Sequence, residues 1–178
     1  MGASRRRGYT LIELVVTVMI IGVLTAIAVP QYLRTVETTK ADDAVATVNM
    51  IATANKMFAL DHGGAYVSGQ FPTSSSCGDA ACPSAPSYSN ACILVYCKYL
   101  ADQDWGHKPY RYLACGPSAC SGPNDIASAR RLTTAAAPYK TWRYDVSQSG
   151  EITCSGNGVP PPAGSACSQR YQIGEVTE

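Results

Sequence analysis

The sequence predicts an α+β fold, in which one long amino-terminal helix packs on a small antiparallel β-sheet head that disulfides staple. The helix is predicted because residues 9–60 contain one glycine, Gly22, one proline, Pro30, and no cysteine. The head is predicted because all eight cysteines lie at or after Cys77. Cysteines at this density indicate disulfides, and therefore an oxidising compartment.

Length and charge limit the classes of function. The 178 residues allow one domain and an appendage, and the net charge of +1 gives no electrostatic basis for a nucleic-acid partner. We expect three segments: a leader at 1–8, a long helix at 9–60 whose first part (9–29) is apolar, and a globular head at 61–178. The sequence contains no nucleophile elbow, phosphate-binding loop or histidine pair, so we expect no enzyme and no cofactor.

The amino terminus has the pattern of a membrane segment. Arg5, Arg6 and Arg7 precede an apolar run from Tyr9 to Val29 that contains one charge, Glu13. A helix of this length spans about 30 Å, the thickness of a bilayer core. The three arginines are expected to hold the amino end on the cytoplasmic side of the membrane.

Three ordinary interpretations compete for this segment. It has the basic start and apolar core of a cleaved secretory signal, with Ala26-Ile27-Ala28 as the small-x-small cleavage site. Arg5-Arg6 also faintly resembles a twin-arginine export signal, and a plain membrane anchor would fit as well.

Glu13 argues against all three interpretations. A carboxylate in an apolar membrane helix costs about 2.5–3.5 kcal/mol, and a disposable signal or a plain anchor gains nothing in return. A subunit that assembles within the membrane can offset this cost with a positive charge on its neighbour. Cleavage after Gly8 would create such a charge, a new amino group four residues before Glu13, and would leave the apolar segment attached.

The segment Gly8-Tyr9-Thr10-Leu11-Ile12-Glu13-Leu14-Val15-Val16 resembles the amino terminus of type IV pilins and type II secretion pseudopilins. The resemblance implies that a prepilin peptidase cuts after Gly8 and methylates the new amino group of Tyr9, where the family usually has phenylalanine. It also implies that Glu13 registers each incoming subunit against its neighbour. In this family the stretch between Gly22 and Pro30 can lose its helical form within the filament.

The resemblance implies a structural subunit of a type IV pilus-like filament. Such a precursor sits in the inner membrane, and an ATPase-driven assembly platform polymerises it with itself and with related minor pilins. The filament would then be extracellular. One alternative is a pseudopilin that forms a periplasmic pseudopilus for type II secretion. Another is a secreted, disulfide-rich binding module with a conventional signal peptide.

Beyond the membrane segment, the helix is expected to become amphipathic and to cover the head. Its apolar positions share one face when wound at 100° per residue. These positions are Leu33, Val36, Ala44, Val48, Ile51 and Phe58. Lys40 and Asn55 project toward the same face and make the stripe imperfect.

Several short elements are expected in the head. Gly63 and Gly64 permit a left-handed cap at the end of the helix. Alternating residues predict strands, and Ser149-Gly150 predicts a turn between the second and third of them. The predicted elements are a loop at 71–90, a short helix or strand at 92–100, and strands at 110–113, 141–146, 151–154 and 169–176.

Disulfide pairing is only partly constrained by the sequence. Cys77–Cys82 and Cys115–Cys120 could each close a local loop, whereas the geometry of Cys92 and Cys97 favours partners elsewhere. Cys154 and Cys167 flank a Gly/Pro-rich loop, and this resembles the disulfide-closed terminal loop of many pilins. A zinc site is disfavoured, because there is no Cys-x-x-Cys motif and there are only two histidines.

One turn resembles the pseudopilin branch in particular. Asp104-Trp105-Gly106, followed by Tyr110, is similar to the Asp-Pro-Trp-Gly-x-x-Tyr segment of the major pseudopilin, although the proline is missing. That protein takes its calcium ligands from the following loop, which here offers only Asp125. We therefore expect no metal site.

Overall fold

The computed structural model describes residues 9–84, 88–116, 120, 122 and 124–160. Within these described residues, two helices, a 3₁₀ turn and five strands follow one another. They are α1 (Leu11–Asp61), β1 (Gly69–Gln70), α2 (Ile93–Tyr96), β2 (Tyr110–Ala114), β3 (Asp125–Arg131), the 3₁₀ turn (Tyr139–Thr141), β4 (Arg143–Ser147) and β5 (Ile152–Ser155). The strands form one antiparallel sheet in the order β1-β2-β3-β4-β5. This is the predicted α+β class.

Helix α1 has 51 residues and continues through Pro30. At its start, the backbone N–H of Glu13 donates to Oγ1 of Thr10, which supplies an acceptor for one of the unpaired amides of the first turn. At its end, Gly63 and Gly64 both have positive φ, and the Gly64 N–H donates to the carbonyl of Ala59. The predicted glycine cap is therefore present.

The chain divides after Thr39 into two compact units. The second unit begins at Lys40, so it contains the carboxyl-terminal half of α1 together with the sheet. In this half, Ala44, Val48, Ile51 and Phe58 are buried, as the periodicity predicted. Leu33, which lies in the first unit, is 54% exposed instead of covered.

The buried face of the sheet alternates large and small side chains across neighbouring strands. Tyr112 of β2 lies opposite Ala129 of β3, which lies opposite Tyr144 of β4. All three are buried, and so is Ala127, two residues before Ala129 on the same face of β3. Small residues between tyrosines leave room for the rings to fill the core without overpacking.

Strands were predicted from the sequence at the positions of β2, β4 and β5, but not at those of β1 and β3. Strand β1 is only two residues long, and β3 carries three small residues that give a weak strand pattern. The 92–100 segment contains the short helix α2. The strand predicted at 169–176 lies outside the described residues.

Three disulfides are described: Cys77–Cys92, Cys82–Cys97 and Cys115–Cys120. The local pairing of Cys77 with Cys82 was therefore wrong. Each of these two cysteines is bonded instead to a cysteine at an end of α2, fifteen residues away. The local Cys115–Cys120 pair is present. Cys154 is also disulfide-bonded, and Cys167, its expected partner, lies outside the described residues.

Candidate functional site: the exposed apolar helix and its head

The part of α1 in the first unit is apolar and exposed to solvent. Every residue from Tyr9 to Thr35 is exposed, including Ile12 at 72% and Ile21 at 59%. Among the described residues, α1 is the one helix long and apolar enough to cross a membrane. A surface of this size is not stable in water, so it must lie in lipid or against other protein.

Glu13 is the only charged residue between Tyr9 and Leu33. It lies in the first turn of α1, where the positive end of the helix dipole favours a carboxylate. Within the described part of the chain, its carboxylate has no hydrogen-bond or ion-pair partner. Tyr9, the expected new amino terminus, is 83% exposed. Gly8 and the basic cluster Arg5, Arg6 and Arg7 lie outside the described residues.

Gly22 and Pro30 are the two weak helix formers of this segment. A Cβ atom added at Gly22 would meet no atom within 4 Å, so packing within one copy does not require glycine there. Pro30 lacks an N–H and cannot donate to the carbonyl of Ala26, four residues before it. Both positions weaken the helix without breaking it in the isolated subunit.

Asn55 is the one fully buried polar side chain on the sheet-facing side of α1. Its Nδ2 lies 3.0–3.1 Å from the carbonyl oxygens of Val67, Cys115 and Ile126, and its Oδ1 accepts the N–H of Val67 at 2.9 Å. One amide therefore joins the helix to three segments of the head. From the sequence, Asn55 read as a flaw in the stripe, and no local signal could have identified its partners.

The Asp104-Trp105-Gly106 turn packs into the core beside the sheet. Trp105 is buried, stacks on Phe71 with ring centroids 4.2 Å apart, and meets Tyr112 edge-on. A Cβ atom at Gly106 would lie 2.6 Å from the backbone of Ser74, so this close approach requires glycine. The turn thereby fixes the loop that carries the first cysteines.

Asp102 ties this turn to the disulfide-bonded loop. Its carboxylate accepts the backbone N–H groups of Cys77 and Gly78 at 3.0 and 3.1 Å and the indole N–H of Trp105 at 3.3 Å. Desolvation raises the pKa of Asp102. These hydrogen bonds, together with one from the Gln103 backbone N–H, lower the pKa by more than desolvation raises it, so the pKa lies below its ordinary value.

Both histidines have structural contacts. His62 stacks on Phe58, with ring centroids 3.9 Å apart, and its Nδ1 lies 2.9 Å from the Phe58 carbonyl at the end of α1. His107 bonds to Asp104, and this hydrogen bond lowers the pKa of the Asp104 carboxyl. Across residues 9–160, with the gaps given above, no three His, Cys, Asp or Glu side chains come together as a metal site would need.

Arg130 and Arg131 do not form one basic patch, because adjacent residues of a strand face opposite sides of the sheet. The Arg131 guanidinium lies 5.4 Å from the centre of the Tyr110 ring on the buried side. On the other side, Arg130 pairs across strands with Arg111 and Arg143. Of these, Arg143 is neutralised by Asp145, with Nε and Oδ2 2.8 Å apart.

Known proteins resemble this chain in an amino-terminal motif and, for some relatives, over most of its length. A signature described as a prokaryotic N-terminal methylation motif matches residues 3–29. The type II secretion system core protein G of Pseudomonas aeruginosa is 34% identical over 136 residues, which cover 72% of this chain and 85% of that protein. The core protein G of Aeromonas hydrophila is 30% identical over 122 residues, or 65% of this chain and 78% of that protein.

Pilins match over a shorter length. The type IV major pilin protein PilA of Myxococcus xanthus is 43% identical over 54 residues, which are 30% of this chain and 24% of that protein. A search of solved structures found no match. The methylation motif, the exposed apolar helix on a sheet-bearing head, and the similarity over most of core protein G lead to one conclusion: the chain belongs to the family of type IV pilins and type II secretion pseudopilins.

Proposed function

We propose that this chain is the repeating subunit of a type II secretion pseudopilus. One observation carries the choice within the family: the match to core protein G covers 136 residues, whereas the match to the Myxococcus pilin covers 54. An alignment of 136 residues must extend well beyond the 51 residues of α1. The helix is common to both branches, so similarity in the head is what distinguishes them. The buried Trp105 turn supports the same branch.

The proposed mechanism begins in the inner membrane. Arg5, Arg6 and Arg7 set the orientation of the precursor, and prepilin peptidase cuts after Gly8 and methylates Tyr9. Glu13 then pairs with the amino group of a neighbouring subunit, which offsets the cost of about 2.5–3.5 kcal/mol for a carboxylate in lipid. An ATPase-driven platform extracts the subunit, and helix contacts in the filament replace lipid contacts.

Deleting the coding sequence for this chain in its own host tests the branch. We expect secreted proteins to accumulate in the periplasm while surface pili, seen by electron microscopy of sheared fibres, stay normal. Loss of surface pili with normal secretion would contradict the pseudopilus and leave the type IV pilus, the other filament of the family.

Glu13→Ala, expressed in the deletion strain in place of the wild-type chain, tests whether Glu13 docks the subunit on its neighbour. The precursor should be processed normally while filament yield falls at least about tenfold, since an ion pair in lipid is lost. Thr17→Ala, one turn further along the same helix, is the matched control and should assemble normally. Normal filament yield in the Glu13 variant would rule out the docking role.

A further inference from the structure

We propose that the face of the sheet turned away from α1 is the docking surface for the chain's own acidic segment 171–178. The opposite face carries Tyr112 and Tyr144, which pack in one core with Val48 and Ile51 of α1. The docking surface, called here the outer face, is formed by alternate residues of β2 to β5. Its central side chains are those of Arg111, Ser128, Arg130, Arg143, Asp145 and Thr153. The proposal concerns the head alone and does not rest on the proposed function.

The outer face is buried at its centre, where a sheet of this kind ordinarily meets water. In antiparallel sheets with one face packed on the core, the other face is commonly solvated. Here Ser128, Asp145 and Thr153 lie side by side on adjacent strands, with exposed fractions of 0%, 7% and 6%. The Thr153 hydroxyl donates to the Asp145 carbonyl within the sheet. A segment that lies over the sheet would account for the burial of these polar side chains.

A row of three arginines crosses one end of the outer face. Arg111 of β2 lies directly opposite Arg130 of β3, which lies directly opposite Arg143 of β4. Like charges at such positions repel one another, and burial together with the neighbouring arginines lowers the pKa of Arg130. Asp145, whose Oδ2 lies 2.8 Å from Nε of Arg143, brings one negative charge to three positive ones. The row is therefore suited to further carboxylates, which arginine binds with paired hydrogen bonds.

A disulfide holds the start of the carboxyl-terminal segment beside this sheet. Cys154 of β5 is disulfide-bonded, and we infer that its partner is Cys167, the one cysteine that remains after the three described pairs. A disulfide keeps its two Cα atoms within about 7 Å of each other. The chain from Cys167 to Glu175 spans about 26 Å when extended. Arg130 lies two strands from β5, or about 10 Å away, so Glu175 can reach the row even after passing round the edge of the sheet.

The segment 171–178 has the charge that the arginine row requires. It reads Tyr-Gln-Ile-Gly-Glu-Val-Thr-Glu, with two carboxylates and no positive charge. While Glu175 and Glu178 meet the arginines, Val176 between them can contact Leu113, which is half-buried on the outer face. A segment tethered within the same chain has an effective concentration on the order of millimolar, which favours it over an acidic segment of a second copy.

Photo-crosslinking within one copy tests the proposal. A benzophenone amino acid is placed at Val176 of the full-length, oxidised chain, which is purified in detergent as a mixture of isotope-labelled and unlabelled copies. We expect adducts within one copy, mapped by mass spectrometry to the outer-face peptides at 111–113, 128–130 and 143–145. The control position is Lys56, an exposed residue of α1, which should not crosslink to these peptides. Adducts from residue 176 to α1 or to a second copy, or no adducts at all, would overturn the proposal.

Charge reversal tests the role of the arginines. Arg111→Glu should lower the yield of the adduct at least about twofold, because opposite charges at the contact become like charges. Glu175→Arg with Glu178→Arg should lower the yield in the same way. Combining all three changes should restore the yield, since opposite charges then face each other again. Lys140→Glu, which reverses an exposed charge in the 3₁₀ turn, should crosslink like wild type.

Melting temperatures distinguish loss of docking from loss of the fold. Should Arg111→Glu fail to fold, Glu175→Gln with Glu178→Gln removes the same attraction from the side of the segment and leaves the sheet unchanged. This double variant should also lower the adduct yield at least about twofold. Wild-type yield in the double variant, or a folded combined variant without rescue, would overturn the proposal. Because the separate subunit is measured, the result does not depend on whether the filament is a pilus or a pseudopilus.

Discussion

At the scale of single residues, Asn55 is the position where sequence periodicity and structure differ most. By its angle on α1 it belongs to the buried face, and by its chemistry it does not. The structure resolves this conflict, because its Oδ1 accepts the N–H of Val67 and its two N–H groups are shared among three backbone carbonyls, of which that of Ile126 also accepts the N–H of Cys115. A buried polar group with all its bonds made specifies one packing of helix on head.

Asn55→Ala should therefore destabilise the protein strongly. It removes the acceptor of the Val67 N–H and the donors to the Val67 and Cys115 carbonyls, and since an unpaired buried group costs about 1–3 kcal/mol, we expect a loss of about 3–5 kcal/mol. Urea unfolding of the purified protein in detergent, followed by tryptophan fluorescence, measures the loss. Asn49→Ala, on a half-exposed part of the same helix, should cost less than about 0.5 kcal/mol. A loss below about 1 kcal/mol for Asn55→Ala would contradict the role given to its hydrogen bonds.

Asp102 makes an acid-sensitive connection between the Asp104-Trp105-Gly106 turn and the loop that carries Cys77. Its pKa is lowered in the folded state, so its stabilisation is present above the ordinary value of about 3.9 and is lost as the pH falls through the folded pKa. Asp102→Ala should cost about 1 kcal/mol at neutral pH, a low figure because the carboxylate is exposed.

Melting temperatures between pH 2 and 8 check this prediction. The difference in melting temperature between wild type and Asp102→Ala should be constant above pH 5 and should disappear in strong acid. Asp79→Ala, which removes an exposed carboxylate 3.7 Å from Lys98, should have almost the melting temperature of wild type at every pH. Parallel curves for wild type and Asp102→Ala down to pH 2 would refute the assignment.

At the scale of elements, the sequence predicted those with a strong period and missed those without one. The long helix, β2 and β4 follow from periods of 3.6 and 2. Strand β3 is Asp-Ile-Ala-Ser-Ala-Arg-Arg, and its small residues are favourable only because tyrosines of β2 and β4 flank them. The local Cys115–Cys120 pair was predicted correctly, but the partners of Cys77 and Cys82 were missed, since the fold brings them near.

Gly22 and Pro30 lead to a prediction about the helical structure of α1. The helix is continuous in the subunit, and we expect the stretch between these residues to open in the filament. The double variant Gly22→Ala, Pro30→Ala should favour helix by about 4 kcal/mol, from about 1 for glycine and about 3 for proline.

Hydrogen exchange of assembled filaments measures this effect. Backbone amides between residues 22 and 30 should exchange quickly in wild-type filaments and slowly in the double variant. Thr25→Ala lies in the same stretch and should exchange as the wild type does. Equally slow exchange in wild-type filaments would show that the stretch remains helical there.

At the scale of the whole molecule, the proposed cleavage after Gly8 would change the balance of charge. Removal of residues 1–8 would take away Arg5, Arg6 and Arg7 and change the net side-chain charge from +1 to −2. The segment that follows, from Tyr9 to Leu33, is apolar apart from Glu13. It is suited to lipid before assembly and to protein contacts after it, since both offer an apolar environment.

The mature amino terminus tests this course of events. Mass spectrometry of the assembled subunit should find N-methylated Tyr9 as its first residue. Gly8→Ala should be left unprocessed, because the peptidase recognises the matching glycine in the family that the chain resembles. Ala28→Leu should have no effect. A mature chain starting at Val29 would instead indicate a conventional secretory signal and would contradict the assignment as a filament subunit.

The sequence by itself determined the apolar segment, the amino-terminal methylation motif, the position of Glu13 and the class of fold. These properties depend on residues close together in the chain, where spacing alone sets the chemistry. Tertiary structure decided the roles of Asn55 and Asp102 and the pairing of Cys77 and Cys82. Each of these depends on groups many residues apart, whose contact becomes definite only when the core is packed.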